Sequence, residues 1–208
     1  MIKVLTTGKC RYKISIHTLF KLVDINNKYT EVFEMTKWAV DTTHSTIEFS
    51  VKHLMIAKVR GVFHKFDADI EADLNDLTSA KVEVNIDLAS VDTRNEDRDN
   101  HLRSADFFDV EHTPTLKFVV TSISKSGEDE YDVVGDVTLH GVTKQESFKL
   151  TFEGTSTDPW GNQKAGFSAA GSLKRSDYGL TYNAALETGG VLIGDEIKVN
   201  IELEAQQV

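Results

Sequence analysis

The sequence has one cysteine, Cys10, and two prolines in 208 residues. A lone thiol excludes an internal disulfide and any zinc or iron-sulfur centre held by cysteines of one chain, so the fold must rest on packing. Long hydrophobic runs are missing as well. In the N-terminal stretch MIKVLTTGKCRYKISIHTLFKLVDINNKYTEVFE, the apolar runs last two or three residues and are broken by Arg11, Lys13, His17, Lys21 and Asp24. Neither a secretory h-region nor a membrane-spanning helix fits there, and the expectation is a cytoplasmic protein without a transmembrane segment. Positive charge is scarce beyond that stretch. Residues 1–34 hold six Lys/Arg against three Asp/Glu, leaving seventeen against thirty for residues 35–208, and the whole chain carries −10. So acidic a body repels phosphate backbones, which argues against nucleic acid as a partner.

Catalytic signatures are also lacking. The seven histidines, at 17, 44, 53, 64, 101, 112 and 140, include no His-x-His and no His-Glu-x-x-His. There is no Gly-x-Ser-x-Gly elbow and no glycine-rich phosphate loop ending in Lys-Ser/Thr. No catalytic residue, metal ligand or cofactor is assigned on this basis.

What is present is period-2 alternation, the mark of half-buried strands. It runs through Ile47/Phe49/Val51, Val59/Gly61/Phe63, Val82/Val84/Ile86/Leu88, Leu116/Phe118/Val120, Tyr131/Val133/Val137/Leu139, Phe148/Leu150/Phe152, Phe167/Ala169/Gly171 and Ile197/Val199/Ile201/Leu203. Eight strands joined mostly by short turns, with no βαβ rhythm, predict an antiparallel sheet, and closure into a barrel removes its exposed edges. Residues 35–208 form this body, with residues 1–34 an extension. His140-Gly141, between two alternating runs, reads as a tight hairpin turn, with His140 a turn residue rather than a ligand. Small residues recur along the stripes: Gly61, Ala68, Gly135, Gly166, Ala169, Ala170 and Gly171. They either leave room for a cavity or mark bulges and close strand contacts.

One window breaks the pattern. Ser90–Val110 packs six acids (Asp92, Glu96, Asp97, Asp99, Asp106, Asp109), three arginines (Arg94, Arg98, Arg103) and His101 together. Thr93-Arg94-Asn95-Glu96 matches a capping box, and Asp97/His101 and Asp99/Arg103 stand at i,i+4, so a helix over about 94–104 is expected. With Leu102 and Ala105 as almost its only apolar residues, it needs Phe107-Phe108 to pin it beside a barrel mouth. Interleaved acids and arginines favour a polar lid over an isolated, pKa-shifted catalytic carboxylate.

Taken together, these segments resemble the YceI-like family of lipocalin-like barrels from about Trp38 to Glu204. The matching stretches are Asp41, His44-Ser45, Phe49, His53-Leu54 and Val59-Arg60-Gly61-Val62-Phe63, then Thr93, Asn95, Arg98-Asp99, His101-Leu102, Phe107-Phe108-Asp109 and Pro114. They continue with Gly135-Asp136-Val137-Thr138-Leu139-His140-Gly141-Val142-Thr143, Asp158-Pro159-Trp160-Gly161, Gly166-Phe167 and Arg175-Ser176-Asp177-Tyr178-Gly179. Gln145 and Thr113 depart from the family pattern at loop positions, and many relatives are exported. The resemblance implies a barrel whose lumen takes a long apolar chain, a polyisoprenoid or similar lipid, without covalent chemistry. Burying several hundred Å² of such a tail at ~25 cal/mol per Å² gains on the order of 10 kcal/mol before association costs.

The expected lumen residues are Phe49, Val51, Phe63, Phe118, Val120, Phe148 and Phe167; Arg98, His101, Trp160 and Arg175 are expected at the mouth, near a ligand's polar end. Two rival readings stand beside this one: an enzyme on a hydrophobic metabolite using Asp99 and His101, and a solid barrel serving as a protein-interaction module. A homodimer is left open.

Overall fold

The structure, a computed structural model, describes residues 35–185 and 190–208; the expected extension over 1–34 lies outside the described residues. Eleven strands and one helix are described. The strands are β1 (Thr36–Val40), β2 (Thr46–His53), β3 (Ala57–Phe63), β4 (Phe66–Asp73), β5 (Asp76–Asp87), β6 (Val91–Asp92), β7 (Thr115–Lys125), β8 (Glu130–Leu139), β9 (Val142–Thr157), β10 (Gln163–Lys174) and β11 (Ile193–Gln207), and the helix is α1 (Glu96–Arg103).

Every pairing is antiparallel, and the sheet closes because β1 pairs with β4 on one side and with β11 on the other. β2 meanwhile pairs with β3 and with the first two thirds of β11. β1 and β2 therefore act as one stave bent at residues 41–45, and β3 and β4 as a second bent at His64-Lys65. With β5, β7, β8, β9, β10 and β11 these make the eight staves of a closed barrel, as the alternation predicts. β8 shows why most plainly: Tyr131, Val133, Gly135, Val137 and Leu139 are buried in strict alternation with half-exposed neighbours. Register shifts at Val120/Ser122 on β7 and Gly166/Phe167 on β10 are bulges, which increase local twist and help a sheet curl shut.

The small residues divide between the two readings open to them. A Cβ built on Gly61 would lie 2.5 Å from the Phe49 ring, on Gly135 2.4 Å from Phe118, and on Gly171 2.5 Å from Phe148. These glycines are close strand contacts, each admitting a phenylalanine ring from the neighbouring stave, and Gly166 sits at a bulge. Ala68 and Ala169 line the lumen, while Ala170 faces out.

The helix forms inside the expected window, but its cap differs. Asn95 is the N-cap and accepts from the Arg98 amide at 2.9 Å. Thr93 does not cap because Asp99, buried at 6 % exposure, takes both its amide (3.0 Å) and its hydroxyl. Neither i,i+4 pair forms. Arg103 instead reaches back to the carbonyls of Ala89 and Val91, both at 2.8 Å, and His101 pairs with Asp106. The Arg103 bonds tie the helix to the chain before it, and the His101 bond ties it to the chain after it. Phe107 and Phe108 supply the expected anchor: Phe107 is buried, and Phe108 packs 6.1 Å from the Phe63 ring. His140 and Gly141 both take positive φ (51° and 75°), the tight turn read from the sequence.

Candidate functional site

Inside the barrel lie two chambers stacked along its axis. The lower one, about 210 Å³, is walled by hydrophobic side chains from every stave, with Glu48 and Ser168 the only polar residues among those lining it. The upper one, about 290 Å³, lies under α1 and the loop after β10. Phe49, Phe63, Leu116, Leu173 and Val199 line both and form the waist between them. Together they fall in the ~300–1,000 Å³ range of ligand pockets. A twelve-residue stave such as β10 runs about 40 Å at ~3.3 Å per residue, or about 30 Å along a barrel axis tilted by ~40°. The space is therefore long and narrow, and the barrel is not the solid one of the interaction-module reading.

Every residue expected in the lumen faces this space. Phe118, Val120, Phe148 and Phe167 line the lower chamber, Val51 the upper, and Phe49 and Phe63 the waist. Of these Phe63 is the most buried, at 8 % exposure; the others keep more accessible surface, which the chambers receive.

Three of the four expected mouth residues gather at the upper chamber: Arg98, His101 and Arg175. Trp160 does not join them. It is 84 % exposed in the β9–β10 turn, at the opposite end of the barrel, where Asp158 accepts the Trp160 and Asn162 amides. Its sequence marks a turn but not which end that turn occupies.

Arg175 is a clamp. It is 6 % exposed and donates from Nε to Gly194 O (3.0 Å) and from Nη1 to the carbonyls of Leu180 and Tyr182, so it ties the loop after β10 to the start of β11. Burial pushes its guanidinium below the ordinary arginine value. The neighbouring Tyr178 is wholly buried and donates to Glu146 at 2.8 Å; burial, then this carboxylate, hold its phenol well above the usual range. Arg98 likewise spends its donors on Thr93, from Nε to the hydroxyl at 2.7 Å and from Nη2 to the carbonyl at 2.8 Å. Among the described residues neither Arg98 nor Arg175 has a carboxylate within 4.0 Å.

Asp99 and His101 are not brought together. Asp99 is committed to Thr93, and His101 bonds Asp106 at 2.9 Å while meeting the rings of Phe107 and Tyr182 edge-on at 5.0 and 4.7 Å. Tyr182 is the mouth residue that sequence reasoning missed, since it lies in a loop without periodicity. Lys52 and His53 at the end of β2 complete the rim.

A second polar cluster lies toward the other end of the barrel. One potential ligand atom each of Asp41, His44 and Glu204 lies within 4.8 Å of the others, but Lys164 Nζ stands 3.1 Å from both carboxylates. Bonds from Thr43, then His44 and Lys164, hold the Asp41 carboxyl well below the carboxylate range, and Asp41 in turn raises His44. The cluster is an internal ion network joining the β1–β2 bend to β10 and β11.

A closed antiparallel barrel of eight staves around an elongated apolar lumen defines a lipocalin-like protein. Residues 38–205 match the model of the YceI-like domain, and the chain belongs to the YceI-like family. A UPF0312 protein of Staphylococcus epidermidis is 46 % identical over 171 residues, covering 82 % of this chain and 97 % of that protein. The crystal structure of the YCEI protein of Campylobacter jejuni is similar with a TM-score of 0.65 at 34 % identity, over 76 % of this chain and 90 % of that one. A polyisoprenoid binding domain from Saccharophagus degradans shares the fold, with a TM-score of 0.64 at 17 % identity over 83 % and 99 % of the two chains. Among the described residues no helix is long and apolar enough to cross a membrane.

Proposed function

We propose that the protein binds a long apolar chain, a polyisoprenoid or similar lipid, within the barrel, and that it acts without catalysis as a carrier, store or sensor. The observation that carries this reading is the lumen: two stacked chambers with a shared waist of Phe49, Phe63, Leu116, Leu173 and Val199, the lower one with almost no polar wall. A space so narrow and so apolar suits a flexible hydrocarbon thread better than a compact metabolite. Polar side chains concentrate at one end, where Arg98, His101 and Arg175 would meet a head group. The domain from Saccharophagus degradans supplies the candidate ligand class by its likeness of fold.

Native mass spectrometry of the full chain, purified from cells without detergent, tests the reading. An adduct whose fragments step by isoprene or methylene units is expected. Only the bare protein mass, together with failure to take up an added polyprenyl alcohol, would sink it.

A further inference from the structure

The turn between β2 and β3 is built against its own chemistry. The Ile56 amide donates to the His53 carbonyl at 3.2 Å, closing a β-turn whose two central residues, Leu54 and Met55, both have positive φ (52° and 61°). Primed turns of this kind favour Asn-Gly, and bulky residues in that region are outliers. Leu54 is 37 % exposed, Met55 54 % and Ile56 84 %, so the apolar surface grows toward the end of the turn and much of it is left to solvent. A hydrophobic tip held in a conformation suited to a polar turn points to a contact made outside the chain.

Two further observations say what that contact is. The Leu54 amide donates to the Leu192 carbonyl at 2.8 Å, which sets the turn beside the upper-chamber lining at Tyr182 and Leu192; with Tyr182 and Val191, about 40 % exposed, this end of the barrel holds five of the seven exposed large hydrophobic residues among the described residues. The end of the β2–β3 hairpin is also a cationic stretch of the acidic body: past Glu48, Phe49–Phe66 contains Lys52, Lys58, Arg60 and Lys65 and no Asp or Glu. Lys52 and Lys58 face each other across the strands, and among the described residues neither has an ion-pair partner. An apolar tip flanked by lysines matches a lipid surface with anionic head groups, with the side chains entering the acyl boundary and the lysines lying among phosphates.

We infer that Leu54, Met55 and Ile56 form a docking tip that seats the barrel mouth on an anionic bilayer. The inference rests on the lumen reading for its purpose, the passage of a lipid between membrane and barrel, but the tip is tested separately. The full chain is floated with vesicles of phosphatidylcholine, with and without phosphatidylglycerol, beside the variants L54N/M55G/I56S and K52E/K58E. The first variant installs Asn-Gly where the turn geometry favours it, so its folded state is retained or strengthened.

Wild type is expected to float with the anionic vesicles, and removing three apolar anchors should weaken partitioning tenfold or more, since each buried side chain is worth ~1.5 kcal/mol or more, ~tenfold. Charge reversal should remove the preference for phosphatidylglycerol. Uptake of geranylgeraniol from solution, read by native mass spectrometry, should be unchanged in the tip variant. Wild type that floats with neither vesicle, or a tip variant that floats as well as wild type, overturns the inference whatever the lumen holds. Loss of a dimer in the tip variant, without vesicle association of the wild type, would instead assign the tip to a second copy and overturn it. Absence of geranylgeraniol uptake with vesicle docking intact would count against the lumen reading alone.

Discussion

Gly171 on β10 gives the sharpest handle on how the lumen is walled. A Cβ there would meet Phe148 Cδ1 at 2.5 Å and Cε1 at 2.8 Å, with the Ser147 carbonyl next at 3.1 Å. Gly171→Ala must therefore push the Phe148 ring into the lower chamber or spread β9 from β10. Overpacking of this size costs ~1–3 kcal/mol, partly offset by ~0.4–1 kcal/mol from the stiffer unfolded chain. For a body of this length that lowers Tm by a few to about 8 °C. Phe148→Ala alone costs ~2–4 kcal/mol, toward the lower end for phenylalanine because the ring is half-buried.

In the Phe148→Ala background the two shortest of these contacts are gone and the Ser147 carbonyl at 3.1 Å remains, so most of the cost of Gly171→Ala should disappear. The coupling energy from the double-mutant cycle is then about 2 kcal/mol. Urea unfolding followed by circular dichroism on the four proteins measures it. A coupling below about 0.5 kcal/mol, the level of additivity for independent sites, would refute the claim that glycines in this barrel are seats for aromatic rings.

Other outcomes follow from the same geometry. Arg175→Met strips three donors from the carbonyls of Gly194, Leu180 and Tyr182 and should cost ~3–4 kcal/mol, about 10 °C in Tm, with the loop after β10 opening first in hydrogen exchange; an unchanged Tm would mean that the clamp is ornamental. Histidine NMR titrations should place His44 and His112 above 6.5, raised by Asp41 and Asp109 respectively, and Asp41→Asn should bring His44 down. Because His44 is raised on folding, its contribution to stability is complete below pH ~6.5 and is lost as pH rises through its folded value; depressed Asp41 contributes above pH ~3.9 and is lost as pH falls toward its folded value. Trp160→Ala should change neither stability by more than ~0.5 kcal/mol nor ligand uptake, since the ring is exposed at the end away from the mouth; a loss of uptake would show that both ends of the barrel take part.

Much of the barrel was legible because alternation encodes a two-sided stave directly. Tyr131 to Leu139 is a strict stripe in sequence and in burial, and the Phe and Val positions read as inward do face the lumen. Competition for hydrogen bonds was less legible. Thr93 fits a capping box as well as Asn95 fits a cap, and the contest is decided by Asp99, six residues on, which takes the Thr93 hydroxyl and amide. Arg103 could pair with Asp99 one turn away, yet it ends on the carbonyls of Ala89 and Val91, partners no helical spacing reveals. Which end a turn occupies depends on the number and direction of all the preceding strands, and Trp160, expected at the mouth, sits instead in the turn at the other end. Tyr182 carries no pattern at all and becomes visible only where His101 and Phe107 meet it.

The most direct test of the account is the content of the lumen itself. A crystal structure of the protein loaded with a long polyprenyl compound should show continuous, elongated density rising from the lower chamber beside Phe118 and Phe148, through the waist at Phe49 and Phe63, to a polar end near Arg98, His101 and Arg175. Density confined to the outer surface, or a lumen refilled by rotated phenylalanine rings with no ligand inside, would contradict it.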